Sequence, residues 1–166
     1  KDMRIGIDAR LLERKMTGIG RTLAGILEFI LEMDGENEYF LFSFGTLEDY
    51  KKRGFKVIPT GEQKLIPSKI YSPIWLNLIL PRYLRRNDID LFFSPSGLIP
   101  KTGLKYKTVI LVCDVFHKVN QDYHPFVYRK YLDFFLTPSI NRSDLILTIS
   151  QSSKKDIIDF YKVPEE

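Results

Sequence analysis

Short apolar segments alternate with helical patterns along the chain, and this alternation limits the fold more than any other feature of the sequence. Several segments are apolar at nearly every position, which is typical of strands buried on both faces of a parallel sheet. Six strands are predicted, at residues 4–9, 39–44, 55–58, 90–93, 108–112 and 145–149. Because helices separate these strands, the sequence predicts a doubly wound, mostly parallel, Rossmann-like α/β sheet with helices on both faces. The 166 residues suit a single domain.

The helical patterns are clearest between residues 18 and 34, where apolar residues recur at steps of three and four and Gly35 follows. Two other patterns contain proline, which removes a backbone donor inside a helix. We therefore expect an interruption at Pro81 and a kink or break at Pro138. The predicted helices are residues 18–34, 47–53, 73–86, 126–141 and 153–161, with Ser150 as the N-cap before the last.

Charge and composition limit the possible partners and the cellular location of the protein. The net charge is +4, but the basic residues are scattered, so no nucleic-acid partner is predicted. No apolar run approaches the roughly 20 residues that span a bilayer. Residues 3–8 read as a strand rather than as a signal peptide. A lone cysteine, Cys113, is typical of a reducing compartment, and we expect a cytoplasmic protein.

The loops that follow the strands hold the candidate site residues, because ligands bind outside the carboxyl ends of such a sheet. The first candidates are Gly18, Ile19, Gly20 and Arg21, where a loop turns into the first long helix. Glycines let a ligand approach the backbone, free N–H groups favour a phosphate, and Arg21 adds positive charge. The motif matches neither the dinucleotide fingerprint nor the nucleoside-triphosphate loop. The alternative is a helix entry whose glycines only satisfy the backbone.

The loop after the fifth strand holds the densest group of ionisable residues. These are Cys113, Asp114, His117, Asp122 and His124. Asp114 is expected to face the ligand crevice, where it accepts hydrogen bonds from sugar hydroxyls or serves as a base. The group has no recognised metal spacing, and no third residue supports a Cys–His nucleophile, so we predict neither. In the alternative interpretation, Asp114 caps the following turn and both histidines are surface residues.

Residues 75–86 combine Trp75 and several aliphatic residues with three arginines. One interpretation is a contact with anionic lipid or a lipid-linked substrate. In that case the protein is expected to lie peripherally at the inner face of the membrane. The other is an ordinary helix with its apolar side on the core and its charges in water. Pro81 argues against a long helix lying on a membrane.

Several stretches in order carry a resemblance to a known family. They are residues 5–10 and 17–21, then 90–95, 99–100 and 109–114, then 143–150, 153–156 and 161–166. Together they resemble the amino-terminal domain of family 4 glycosyltransferases, retaining enzymes with the two-domain GT-B fold. The match is poorest over residues 51–86. The resemblance implies that residues 1–166 form the acceptor-side domain, that residues 163–166 lead into a second domain, and that this nucleotide-sugar-binding domain is absent.

By this resemblance, Gly18, Ile19, Gly20 and Arg21 lie against the donor diphosphate and the acceptor.

The resemblance also implies roles for residues after the fifth and sixth strands. Cys113 stands where the family commonly has a histidine that contacts the donor sugar, and a thiol is a weak hydrogen-bonding group. Asp114 matches the aspartate that follows this histidine in the family. It is predicted to be the catalytic residue, orienting or desolvating hydroxyls. His117 is predicted to substitute for the missing histidine. Ser150, at the start of the last loop, completes the predicted substrate contacts.

The implied reaction moves a hexose from a nucleotide-diphosphate sugar to a hydroxyl acceptor, with retention of configuration. The acceptor is a glycan, a lipid carrier or a small sugar, and no metal or other cofactor is expected. The family's paired glutamates belong to the second domain, so this chain alone is expected to be inactive. Two alternatives are a sugar-nucleotide epimerase of the same two-domain fold and a non-catalytic α/β binding domain.

Overall fold

Six parallel strands form the centre of the protein. The computed structural model describes residues 2–13, 17–61, 67–103, 105–120, 123 and 125–165, with backbone only at 68, 69, 128 and 131. The strands are β1 (Arg4–Asp8), β2 (Glu38–Ser43), β3 (Lys56–Pro59), β4 (Leu91–Ser94), β5 (Lys107–Leu111) and β6 (Leu145–Leu147). All six predicted strands are therefore present, with ends that differ by one or two residues.

The helices follow the strands as the alternation predicts. Helix α1, at Gly18–Met33, ends one residue before its predicted end. The others are α2 (Glu48–Lys52), α3 (Ser68–Ile74), α4 (Leu80–Arg86), α5 (Phe116–Val119), α6 (Phe126–Arg142) and α7 (Gln151–Tyr161). A π-helical turn at Trp75–Ile79 joins α3 to α4, and a 3₁₀ turn at Arg10–Leu12 follows β1.

The strand order is β3-β2-β1-β4-β5-β6, and every neighbouring pair is parallel. The chain moves outward in one direction from β1 to β3 and in the other from β4 to β6. The direction reverses between β1 and β4, where Ile5 lies opposite Leu91 and Ile7 opposite Phe93. This reversal creates a crevice at the carboxyl edge of the sheet, which is the usual ligand position in such folds.

Apolar layers cover the two faces of the sheet. On one face, Leu23 and Leu27 of α1 pack with Ile7 and Leu41 of the strands. On the other face, Trp75 and the buried residues of α4, α6 and α7 pack with the alternate strand positions, such as Phe42. The two layers explain why the strands are apolar at nearly every position.

The interruption expected at Pro81 and the break expected at Pro138 are absent, while a kink at Pro138 stays a prediction. The helical path continues through Pro81, because α4 begins at Leu80 directly after the π-helical turn. Pro81 therefore lies in a first turn, where a backbone N–H group normally has no partner. Helix α6 likewise runs unbroken through Pro138. The Ser139 hydroxyl donates to the Phe135 carbonyl at 2.9 Å, one residue beyond the carbonyl that the proline leaves free.

For residues 75–86, the structure favours an ordinary helix with its apolar side on the core and its charges in water. Trp75, Leu80 and Leu84 are fully buried, while the arginines Arg82 and Arg85 are exposed. Most of its apolar side faces the core, while Leu78 is 56% exposed, and the lipid contact stays a prediction. Among the helices of the described ranges, none combines the length and hydropathy needed to cross a membrane.

Candidate functional site

The glycine loop enters α1 at the carboxyl edge of the sheet. The Thr17 hydroxyl accepts a hydrogen bond from the Gly20 amide at 3.1 Å, and the Thr17 carbonyl accepts from the Arg21 amide at 2.9 Å. The amides of Gly18 and Ile19 have no acceptor among the described residues. A capped first turn with two N–H groups that no described residue accepts from is suited to an anion.

Gly18 is a glycine that the fold itself does not require. A Cβ atom added there meets nothing within 4 Å among the described residues, and the backbone is not in the left-handed region. The interpretation that this glycine only satisfies the backbone therefore has no support at Gly18. Arg21 is exposed one turn further along, and no described residue forms an ion pair with it.

The end of β5 presents Cys113 and Asp114 at the same edge. Asp114 is exposed, and its Oδ1 atom accepts from the Phe116 amide at 3.0 Å. It therefore caps the turn that leads into α5, as the alternative interpretation predicted, while the carboxylate stays open to solvent. Strand β4 lies between β1 and β5, so this group and the glycine loop belong to strands about 10 Å apart.

His117 is buried, so the alternative interpretation, in which both histidines are surface residues, is wrong for His117. Its Nε2 atom lies 3.5 Å from Oδ1 of Asp133 in α6 and 3.5 Å from the Tyr161 hydroxyl in α7. Packing between three helices excludes it from water, which its position in a polar loop did not indicate. The imidazole is directed toward these helices, and its predicted role as a substitute for the family's histidine stays a prediction.

Ser150 follows β6 and is exposed. Its hydroxyl accepts from the Ser153 amide at 3.1 Å and donates to the Ser153 hydroxyl at 2.9 Å. The predicted N-cap is confirmed, and Ser150 lies at the carboxyl edge of the outermost strand.

The thiol of Cys113 is expected to react slowly. Burial, and next the Asp114 carboxylate, raise the pKa of Cys113 above its ordinary value, because both disfavour the thiolate. We expect the rate of alkylation by iodoacetamide to rise with pH only beyond about 8.5, the usual thiol value. The Asp114→Asn variant, which keeps an oxygen for the Phe116 amide, should move this rise to lower pH. A rate already at its plateau at pH 8 in the native protein contradicts the prediction.

An ion pair beneath the crevice was not identified from the sequence. Asp8, at the end of β1, is 1% exposed and accepts from Arg10 three times: from the amide at 3.2 Å, from Nε at 2.9 Å and from Nη2 at 2.7 Å. The Arg10 guanidinium carbon lies 3.7 Å from the ring centroid of Trp75. The signal was present, since a carboxylate ends an apolar strand and an arginine follows two residues later.

Further contacts join the ends of the first three strands. The Trp75 indole N–H donates to the Thr60 hydroxyl at 2.7 Å, and that hydroxyl donates to the Ser43 carbonyl at 2.7 Å. The Glu13 carboxylate accepts from the amides of Phe44, at 2.8 Å, and Gly45. These contacts fix the start of the loop that leads to Gly18.

No metal centre is found where the structure can be described. Within those ranges, no three His, Cys, Asp or Glu side chains converge in a way that could hold an ion. Asp122 and His124, two members of the predicted ionisable group, lie outside the described residues. The expectation of no metal therefore stays a prediction.

The chain matches no protein-family model and no curated protein sequence. Solved structures do match, and one is a glycosyltransferase from Rickettsia africae ESF-5, with a TM-score of 0.54 and 15% sequence identity. The match covers 99% of this chain and 41% of that chain, so the present chain spans less than half of that protein. Identity this low shows the fold alone. The fold prediction is confirmed: the chain is a doubly wound, Rossmann-like α/β domain, consistent with one half of a GT-B fold.

Proposed function

We propose that this chain is the acceptor-side, amino-terminal domain of a retaining family 4 glycosyltransferase. The complete enzyme transfers a hexose from a nucleotide-diphosphate sugar to a hydroxyl acceptor. The observation that carries the proposal is the first turn of α1, where two amides at the carboxyl edge have no acceptor among the described residues. They lie beside a glycine that neither backbone conformation nor crowding requires. The glycosyltransferase fold of the matched structure supports it.

In this proposal, the chain's own groups act on the leaving diphosphate and on the acceptor. The amides of Gly18 and Ile19 donate to the diphosphate as negative charge develops on it, and Arg21 adds a cation. The solvent-accessible Asp114 carboxylate accepts from sugar hydroxyls and orients them. The buried Asp8–Arg10 pair fixes the 3₁₀ turn that follows β1, at the same edge of the sheet as these amides.

We also propose that a second domain, which binds the nucleotide sugar and carries two glutamates about eight residues apart in the family's pattern, completes the enzyme. The matched glycosyltransferase is more than twice as long as this chain. At the edge strand, Leu145, Leu147 and Ile149 are exposed along a cavity of about 610 Å³, which leaves apolar surface for further polypeptide to cover. Cytoplasmic location and the absence of a cofactor belong to the same proposal.

The test uses the complete polypeptide and compares two glycine variants of one helix. Gly18 and Gly25 both lie in α1, and in both cases an added Cβ meets nothing within 4 Å among the described residues. Valine is a slightly better helix former than glycine, so neither substitution should destabilise the fold. We expect Gly18→Val to lower kcat/KM for sugar transfer by about tenfold or more, since its side chain blocks the diphosphate, and Gly25→Val to leave it unchanged.

The assay measures acceptor-dependent transfer from a panel of nucleotide sugars to lipid, glycan and simple sugar acceptors, with the configuration of the product determined by NMR. Equal losses in the two variants would remove the glycine loop from the site. Conversion of a donor into its epimer with no acceptor present would overturn the proposal in favour of an epimerase. An inverted product would remove the retaining assignment.

A further inference from the structure

A band of exposed aromatic and apolar side chains extends from α5 into α6. We call it the aromatic face and define it by Phe116, Val119, Tyr123, Phe126, Val127 and Phe134. Their exposed fractions run from 42% at Phe116 to 78% at Val127. The rings of Phe116 and Tyr123 contact each other, with centroids 5.7 Å apart. Contiguous apolar surface of this kind is uncommon on soluble proteins and marks an interaction site.

Helix α6 carries apolar side chains on two sides, one that packs on the core and one that faces solvent. Leu136 and Ile140 are buried in the layer that covers the sheet. Phe126, Lys130 and Phe134 follow one another at four-residue steps, so they form a separate stripe that faces solvent. The core therefore accounts for one side of the helix and leaves the other without a partner among the described residues.

The cations on this face are arranged around its rings. The Lys101 ammonium lies 3.6 Å from the ring centroid of Phe134, and the Lys130 ammonium lies 5.5 Å from that of Phe126. Neither lysine forms an ion pair with a carboxylate in the described part of the chain. The half-buried Asp133 of α6 is paired with Lys118 at 2.7 Å.

We propose that the aromatic face binds the surface of an anionic lipid membrane, with its rings at the level of the headgroups. Aromatic and aliphatic side chains mixed with lysines are typical of surfaces that lie in the membrane interface. The apolar groups enter the acyl boundary, and the ammonium groups of Lys101 and Lys130 remain with the phosphates. This surface is distinct from residues 75–86, whose apolar side is mostly buried, and the inference does not depend on the proposed enzymatic function.

A second apolar surface on the same molecule provides the matched control. Phe29 and Met33 of α1 are exposed by 56% and 85%. The exposed residues Glu28 and Glu32 lie on the same helix, so this surface carries the opposite charge. A membrane of anionic lipid should therefore distinguish the two surfaces, whereas unspecific hydrophobic adsorption should not.

The experiment measures cosedimentation of the 166-residue chain with vesicles of phosphatidylglycerol and of phosphatidylcholine. We expect binding to phosphatidylglycerol that weakens as salt rises from 0.1 M to 1 M, because the Debye length falls from about 10 Å to about 3 Å. The double variant Val127→Ser/Phe134→Ser should bind these vesicles at least about tenfold more weakly than the parent chain. The control Phe29→Ser/Met33→Ser should bind as the parent chain does. Circular dichroism confirms that both variants are folded.

Three results would overturn the inference. The first is no binding to phosphatidylglycerol vesicles. The second is equal binding to both lipids at all salt concentrations, or an equal loss in the control variant, since either indicates unspecific adsorption. The third is a dimer in light scattering that Val127→Ser/Phe134→Ser dissociates, in the absence of vesicle binding, which would assign the face to a second copy of the chain.

Discussion

Replacing Trp75 by alanine should lower the free energy of unfolding by about 4 kcal/mol, in the range for a large buried aromatic residue. Trp75 is fully buried. Its ring lies between Phe44, with centroids 5.8 Å apart, and the guanidinium of Arg10, and its N–H group donates to Thr60. The substitution therefore opens a cavity, removes the donor to the Thr60 hydroxyl and removes the ring that the Arg10 guanidinium contacts.

The measurement is urea denaturation followed by circular dichroism, since Trp75 is the protein's single tryptophan and its fluorescence disappears with it. Trp75→Phe is the control. It keeps an aromatic ring but loses the N–H donor and part of the volume, so we expect a loss of about 1–2 kcal/mol. A loss below about 1 kcal/mol for Trp75→Ala would show that the site closes around the smaller side chain or that the indole contributes little.

Replacing Asp8 by alanine should lower the free energy of unfolding by about 3 kcal/mol. The Asp8 side chain is 1% exposed and that of Arg10 is 13% exposed, so the guanidinium would be left charged and mostly buried with no carboxylate. Asp49→Ala is the matched control, because Asp49 also pairs with a cation, Lys52, but at 4.0 Å and with 92% of its side chain exposed. A surface pair of this kind contributes little, and we expect almost no change there.

A double-variant cycle separates the ion pair from simple loss of packing. Arg10→Met removes the charge of Arg10 and keeps an unbranched chain over Trp75. If the buried charge is the cause, Asp8→Ala/Arg10→Met should be less destabilised than the sum of the two single variants, by more than about 0.5 kcal/mol. Additive losses would contradict the ion-pair explanation.

Predictions from the sequence succeeded where the structural feature depends only on residues a few positions apart in the chain. The strands were identified because burial on both faces leaves no polar position, and the end of α1 because an apolar stripe stops before Gly35. The N-cap at Ser150 was also identified, since a cap is formed by residues three positions apart. Each of these signals acts within one helix or one strand.

The errors concerned residues whose surroundings come from distant parts of the chain. An interruption at Pro81 and a break at Pro138 were expected, but the helical path continues through both residues. The alternative interpretation put His117 at the surface, but α6 and α7 cover it. In the candidate site, the loops that follow the strands were located correctly. The ion pair between Asp8 and Arg10 was not identified, and neither was the contact of Arg10 with Trp75, 65 residues further along the chain.

The sequence by itself determined the class of fold, the order of strands and helices, and the loops at the carboxyl edge, because apolar periodicity and capping depend on near neighbours. Only the tertiary structure decided which polar residues are buried, which prolines are tolerated and which apolar side chains stay in water. It showed that Gly18 is open, that Trp75 faces the core and that Phe126 and Phe134 do not. These properties depend on which residues meet across the fold, and packing between distant segments is not encoded in any local pattern.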